Sequence, residues 1–417
     1  MERESRTLEY KESVSKSFLK TVSAFANYGT GKIIFGISDS LKTKEINNPI
    51  QTCLDIENAI NDSIKPIPPF FLEINKDKTI TLTVKEGLDK PYLYNNKAYR
   101  RSDSATVEVD RTALKRLILE GTNQSYEELI SKNQNLTFEY LEKVLVDKLG
   151  IQEFNTDTLK TLQLMNFDNT INNAGALFAD KNSFKGIDIV RFGDSINEIT
   201  NRITLENMSI LNQFNKTMEV FELYYEVEVI DGFERKKVEL IPNNAFREVI
   251  ANALVHRLWD VDANIKVSMY KDKIEISSPG GLPNDLDEED YLNGGISVLR
   301  NPIIGNIFFR LNYIEKFGTG IKRINDAYRN SLLKPTYRLT DHVISITLPS
   351  VNGVLKLNEN ETTLLKHLSG GKLLSRVQLE ELSGLSKTQT IRALNSLIEK
   401  EYVVSSGTGR NSKYSLK

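Results

Sequence analysis

The sequence predicts an α+β chain of several domains, and three observations predict it. Its 417 residues exceed what one hydrophobic core ordinarily supports. Helical and strand-like hydrophobic periods alternate along most of its length. From residue 358 onward the pattern changes to short helices with capping signals, then a strand pair around a Gly-rich turn.

Composition limits the function classes. Hydrophobic content of 40% and charged content of 26% are ordinary for a globular chain. A net charge of −2 provides no global attraction to nucleic acid or anionic membrane, so any such binding must come from a local patch. The one cysteine, Cys53, excludes an intrachain disulfide and a cysteine-based zinc cluster. His256, His342 and His367 lie too far apart to suggest a histidine metal site. "MERESRTLEY" has no apolar core of a signal peptide, and no run approaches the ~20 apolar residues of a membrane span. A cytoplasmic chain with no membrane partner is expected.

Residues 1–121 open with a helix in "SKSFLKTVSAFANYG", stopped at Gly29, followed by the apolar strand "KIIFGIS", expected to be covered on both faces. "FLEINKDKTITLTVKEG" reads as a hairpin, "KAYRRSDSATVEV" as a strand pair and "DRTALKRLILEG" as a closing helix. In the connecting region 122–200, "SYEELISK", "TFEYLEKVLVDKLG" and "TLKTLQLM" read as helical, and "TINNAGALFAD" and "GIDIVRFGD" as strand-like. The region 201–348 reads as long helix, strand pair, helix, hairpin, Gly-rich turn, loop and helix. "LPSVNGVLKLNEN" is a linker to a last domain, 356–417.

In that last domain each helix begins with a capping-box pattern: Asn358 to Glu361, Ser375 to Gln378 and Ser386 to Gln389. "SGLS" joins the second and third helices, and "YVVSSGTGRNSKYSL" supplies two strands. Helix, helix-turn-helix and β-wing in this order predict a winged helix. A stripe of Ile391, Leu394, Leu397 and Ile398 turns inward. Lys387, Thr388, Gln389, Arg392 and Asn395 then face outward, and the wing adds Arg410 and Lys413. These are residue types that contact phosphates and base edges. From residue 371 on, eight basic residues (Lys372, Arg376, Lys387, Arg392, Lys400, Arg410, Lys413, Lys417) face four acidic ones (Glu380, Glu381, Glu399, Glu401). DNA is the expected partner, although many winged helices serve only protein contacts.

"REVIANALVHR" (247–257) poses the sharpest question. Phe246, Val249, Ile250, Ala253 and Leu254 form a buried helical face, while Glu248, Asn252 and His256 stand four apart on one line. The plain reading of that line is the solvated side of a packed helix. Downstream, "KIEIS" ends in "SPGGLP", and "IEKFGTG" opens the helix "IKRINDAYRN".

Helix, hairpin, "PGG" and "GTG" in this order resemble the Bergerat-type α/β sandwich that binds ATP in gyrase, histidine kinases and MutL. The resemblance implies that Asn252 binds Mg²⁺ bridging nucleotide phosphates, and that Glu248 activates water where hydrolysis occurs. It implies further that Gly280 and Gly281 form the first glycine box and that Gly318, Thr319 and Gly320 take phosphate at a helix N-terminus. Residues of about 284–316 would be the nucleotide lid, with His256 also at the nucleotide. The family's adenine-reading aspartate is here Ser278, which leaves the preferred base open.

The stretch from Glu4 to Asp39 resembles the Schlafen AlbA-type domain. Glu9, Lys11, Asn27, Gly29, Gly31, Gly36 and Asp39 match its pattern, whereas its Arg-x-Gly-Ser segment reads Arg100, Arg101, Ser102, Asp103, without the glycine. The resemblance implies nucleic-acid binding, with Lys11, Arg100 and Arg101 as contacts. Some members cleave RNA with three carboxylates, here Glu4, Glu9 and Asp39. The plain alternative is that Glu9 and Lys11 are a solvent-facing pair on a strand whose inner residues are Leu8 and Tyr10. "TINNAGALFADKNSFKGIDIVRF" also resembles the connecting region of bacterial proteins that combine these domains and are described as transcriptional regulators.

The expectation is therefore a homo-oligomeric regulator that binds DNA through its winged helix, with ATP or another nucleotide and Mg²⁺ modulating that binding. The alternative is a metal-dependent nuclease acting on RNA or single-stranded DNA, in which the central domain is a gate.

Overall fold

The computed structural model describes all residues except 1, 2, 39, 232, 233, 284, 285, 295–297, 316, 317, 352–357, 369–371, 401, 408–411 and 417. The chain divides into two units, Met1–Leu129 and Ile130–Lys417.

The first unit contains β1 (Leu8–Lys11), α1 (Phe18–Tyr28), β2 (Gly31–Phe35), α2 (Pro49–Ser63), β3 (Ile64–Lys65), β4 (Phe70–Ile74), β5 (Ile80–Val84), β6 (Leu93–Tyr94), β7 (Tyr99–Ser102), β8 (Ala105–Glu108) and α3 (Arg111–Gly121). Its main sheet has the order β1-β2-β5-β4, with β1 parallel to β2 and the other pairs antiparallel. Phe18, Leu19, Val22 and Phe25 of α1 pack with Ile56 and Ile60 of α2 on Ile33, Phe35 and Leu82 of the sheet. On the other face of β2, Lys32 is exposed and Ile34 half-buried, so one face of this strand is fully covered rather than the two expected. The alternation of side chains across a strand accounts for the difference.

The second unit begins with α4 (Glu139–Leu149), α5 (Thr156–Thr161), α6 (Asn173–Phe178), β9 (Ile187–Phe192), β10 (Ile199–Leu205), α7 (Ile210–Tyr225), β11 (Glu226–Asp231), β12 (Glu234–Glu239) and α8 (Asn243–His256). It continues with β13 (Ile265–Met269), β14 (Lys273–Pro279), α9 (Glu288–Asn293), α10 (Pro302–Arg310), α11 (Gly320–Ala327), β15 (Thr336–Leu339) and β16 (Val343–Pro349). A six-stranded sheet runs β10-β9-β13-β14-β16-β15, with the pair β9 and β13 parallel. Helix α8 lies over β14 and β16 and packs against α7, α10 and α11.

Three expectations change here. "TINNAGALFAD" contains helix α6, not a strand; all six of its residues are buried, and Asn172 caps it by accepting from Gly175 N at 2.9 Å. A short apolar run covered on every side has no period that separates helix from strand. "SYEELISK" holds only the 3₁₀ turn Tyr126–Glu128. Strand β10 crosses the boundary expected at 200/201, and β9 pairs with β13, so the sheet draws its edge from the connecting region.

The chain ends with α12 (Glu359–Leu368), β17 (Leu374–Ser375), α13 (Arg376–Ser383), α14 (Lys387–Glu399), β18 (Val403–Ser406) and β19 (Lys413–Leu416). The strands pair in the order β17-β19-β18. Leu364, Leu365, Leu368, Leu379, Leu394, Leu397 and Val403 form the core of this segment. Asn358 and Glu361 exchange two 2.9 Å bonds, and Ser375/Gln378 and Ser386/Gln389 form complete capping boxes, as the sequence predicts.

Candidate functional site

Helix α8 builds the site because its apolar face fixes its rotation. Phe246 stacks on Phe221 of α7 at 4.2 Å, and Phe246, Val249, Ile250, Ala253 and Leu254 are all buried. The opposite line is not a freely solvated face: Glu248 is buried, and Asn252 and His256 are half-buried. Glu248, Asn252 and His256 line a cavity shared with Ser278 on β14, the Gly280–Gly281 turn, Arg300, Glu315, Gly318 and Gly320. The cavity holds about 100 Å³. Small-molecule pockets usually hold about 300–1,000 Å³.

At one end Asn252 Nδ2 donates to Glu248 Oε1 at 3.3 Å, which leaves the Asn252 side-chain oxygen without a hydrogen bond among the described residues. Glu248 is 3% exposed, and burial raises its pKa, against the opposing influence of Arg323 and Asn252. Gly320 closes this end. A Cβ there would lie 2.7 Å from both Asn252 Nδ2 and Glu248 Oε1, so a side chain at this position would occupy the space these groups face. Thr319 precedes α11 as its N-cap and makes no side-chain capping bond.

At the other end Ser278 Oγ donates to the Ala253 carbonyl at 3.1 Å. Its proton being committed there, the hydroxyl can only accept from a ligand. Burial, and then the charge of Arg300, push the His256 pKa down to about 4, so the ring is neutral near pH 7. Gly280 has φ 114°, which a side chain would strain, and an added Cβ would meet Arg300 Nη1 at 2.9 Å.

Sequence reading missed the residues that tie this end together. Arg300 donates to the carbonyls of His256 (2.7 Å) and Gly281 (2.9 Å), bridging the C-terminus of α8 to the glycine turn. Asn301, 2% exposed, donates to the carbonyls of Val255 (2.7 Å) and Arg257 (2.9 Å). Their only sequence signal was position: an Arg-Asn pair just before Pro302, the first residue of a helix. The same anchoring corrects the expected lid of 284–316. Ile303, Ile304, Ile307 and Phe308 of α10 are buried against the core, so α10 is part of the packed body and not of a lid.

In the first unit Glu9 faces inward and is 4% exposed, the reverse of a solvent-facing pair. Its oxygens are held by Thr21 Oγ1 (2.7 Å), Lys11 Nζ (2.6 Å) and Arg101 Nη1. Arg101 also donates to Thr106 Oγ1 (2.9 Å) and the Ser5 carbonyl (3.0 Å). With its side chain 5% exposed, Arg101 is a buried counter-ion where a nucleic-acid contact was expected; Arg100 is the exposed member of the pair. Glu4 Oε1 accepts from Tyr10 N at 2.9 Å and so braces β1. Asp39 lies outside the described residues, and among those described no cluster of three His, Cys, Asp or Glu side chains could hold a metal. Asn27 of the matched pattern is structural, exchanging bonds of 2.8 and 2.9 Å with the Tyr92 backbone.

On α14, Lys387, Thr388, Gln389, Arg392 and Asn395 are exposed, as is Lys413 on β19; Arg410 lies outside the described residues. Ile391 is 37% exposed and stands among them, not in the buried stripe, which Thr390 and Ala393 complete instead. Gln389 Oε1 accepts from Ser386 N (3.0 Å) and Ser386 Oγ (2.7 Å), so its amide oxygen is engaged in capping.

Residues 4–110 match the family model described as "Schlafen, AlbA_2". Residues 262–348 match the one described as "Putative ATP-dependent DNA helicase recG C-terminal", a match that begins after α8. No curated protein matches the sequence. A similar solved structure is that of the DIP2311 protein from Corynebacterium diphtheriae, at 16% identity and a TM-score of 0.50, covering 99% of this chain and 92% of that one. That likeness concerns the fold alone. The two family matches establish a Schlafen AlbA_2 domain and an ATPase-like domain in one chain, a combination that points to nucleotide and nucleic-acid related function.

Proposed function

We propose that the protein is a nucleotide-binding transcriptional regulator that grips DNA through a C-terminal winged helix. The observation that carries the nucleotide half is the convergence of Glu248, Asn252 and Gly320 at one end of the α8 cavity. The residues fit a Mg²⁺–nucleotide. Among the described residues Asn252 has an unengaged side-chain oxygen beside a buried carboxylate, and Gly320 adds no side chain at the start of α11, where backbone N–H groups favour anions. Asn252 would hold Mg²⁺, Gly318, Thr319 and Gly320 the phosphates, and Ser278 and His256 the base. The metal would neutralise phosphate charge, a task that needs few protein ligands. Glu248 is placed to take a proton from water if the protein hydrolyses nucleotide, since burial raises its proton affinity.

For the DNA half, α12, α13 and α14 with the three-stranded sheet β17-β19-β18 follow the order of a winged helix, and α14 presents Lys387, Thr388, Arg392 and Asn395 outward. Nucleotide modulates DNA affinity only if it binds the DNA-competent arrangement differently from the other. The carboxylate nuclease ranks second, because Glu9 would have to give up Arg101, Lys11 and Thr21 to meet a metal.

The test is calorimetry of the full chain with Mg–ATP and Mg–GTP, followed by DNA titrations over a range of salt with and without nucleotide. Asn252→Ala should weaken nucleotide binding at least ~10-fold, about 1.4 kcal/mol. Lys387→Ala and Arg392→Ala should each reduce the salt slope of DNA binding by about 0.9. A wild-type chain that binds no nucleotide with Mg²⁺, or no DNA at low salt, refutes the corresponding half.

A further inference from the structure

Arg323 stands on the first turn of α11, three residues beyond Gly320, and so projects from the same face of that helix. Its guanidinium lies between two carboxylates. Nη2 is 3.2 Å from Glu315 Oε1, and Nη1 is 3.8 Å from Glu248 Oε2. Neither is the bidentate fork in which an arginine holds a carboxylate most firmly. The Glu315 contact joins side chains 41% and 44% exposed, a class of pair worth little in water. The Glu248 contact is too long for a hydrogen bond.

Among the described residues, Arg300, the cation that lines the cavity itself, is committed elsewhere, donating to the carbonyls of His256 and Gly281. Glu248 and Glu315 both line the cavity, and would repel a polyphosphate without a cation between them. Arg323 is thus a weakly held, half-exposed cation at the phosphate end of the pocket, with N–H donors to spare.

We propose that Arg323 is the phosphate-reading residue of this pocket, exchanging Glu315 and Glu248 for the terminal phosphate of a bound nucleotide and so setting a preference for triphosphate over diphosphate. The inference rests on the nucleotide reading above. An arginine is suited to the exchange because its planar fork matches phosphate oxygens in pairs, whereas a lysine meets them as a point charge.

The experiment is calorimetric titration of the full chain with Mg–ATP, Mg–ADP and adenosine, or the guanine series if it binds more tightly. Arg323→Gln should lower triphosphate affinity at least ~10-fold while diphosphate and nucleoside affinities change less than ~3-fold, and Arg323→Lys should recover part of the loss. Glu315→Gln, at an exposed position, should raise triphosphate affinity by freeing the guanidinium, which keeps the idea testable should Arg323→Gln fold poorly. An unchanged triphosphate-to-diphosphate ratio in Arg323→Gln overturns the proposal while leaving nucleotide binding intact. Equal loss for all three ligands also overturns it, since Arg323 would then only support the fold. A wild-type chain that binds none of them refutes the nucleotide reading itself.

Discussion

Replacing Gly320 by alanine separates a packing role from a binding role at the α8 cavity. The added Cβ would stand 2.7 Å from Asn252 Nδ2 and 2.7 Å from Glu248 Oε1. Comfortable contact between such atoms begins near ~3.4–3.5 Å, so each group would have to retreat by about 0.7 Å. Both are side-chain ends, not backbone, but Glu248 is 3% exposed and has little room to yield. Overpacking of this kind costs about 1–3 kcal/mol, while alanine recovers up to ~1 kcal/mol over glycine within a helix. Stability should therefore fall by about 0–3 kcal/mol.

Binding should respond more strongly. If Asn252 holds Mg²⁺ as proposed, displacing its side chain by even part of that distance would weaken the contact, because Mg²⁺ demands near-ideal octahedral ligands at ~2.0–2.1 Å. Mg–nucleotide affinity should fall at least ~10-fold. Urea denaturation gives the stability change and calorimetry the affinity. Gly384→Ala is the control: its φ of 69° makes alanine strained, and nothing stands within 4 Å of the added methyl. It should cost about 1–2 kcal/mol in the turn between α13 and α14 and leave nucleotide affinity alone. If Gly320→Ala binds nucleotide within twofold of wild type, the phosphates and metal do not sit at this end of the cavity.

Two further outcomes are expected. His256 has a pKa of about 4 in place of 6.5, so the unfolded chain binds more protons between these values. Stability should be full above pH 6.5, decline as pH falls toward 4 by up to about 3 kcal/mol, and level off below; His256→Gln should remove that slope in denaturation curves taken across the range. Arg101→Ala should destabilise the chain by about 3 kcal/mol because it leaves Glu9 buried without its main counter-ion, and adding Glu9→Gln should restore part of the loss. A change within ~0.5 kcal/mol in urea denaturation would mean that Arg101 is a surface contact after all.

What could be read from the sequence depended on how far apart the interacting residues lie. Capping boxes at Ser375/Gln378 and Ser386/Gln389 were legible because donor and acceptor are three residues apart, and the alignment of Glu248, Asn252 and His256 follows from the helical repeat alone. The inward turn of Glu9 was not legible, because its counter-ion Arg101 is 92 residues away on β7 and Thr21 stands on α1, partners that only the folded chain brings to β1. Helix α10 was read as lid because its anchors, Arg300 and Asn301, act on carbonyls at the end of α8, which no local pattern encodes. Gln389 shows the limit in one residue: the sequence supports both a cap and a base contact, and the structure places its oxygen in the cap. If α14 reads bases, the burden on it passes to Thr388, Arg392 and Asn395, with exposed Ile391 among them as an apolar surface suited to a thymine methyl. Ile391→Ser should then lower affinity chiefly for sites that present a thymine there, and an equal loss at all sites in competition titrations would show that α14 does not read bases through this residue.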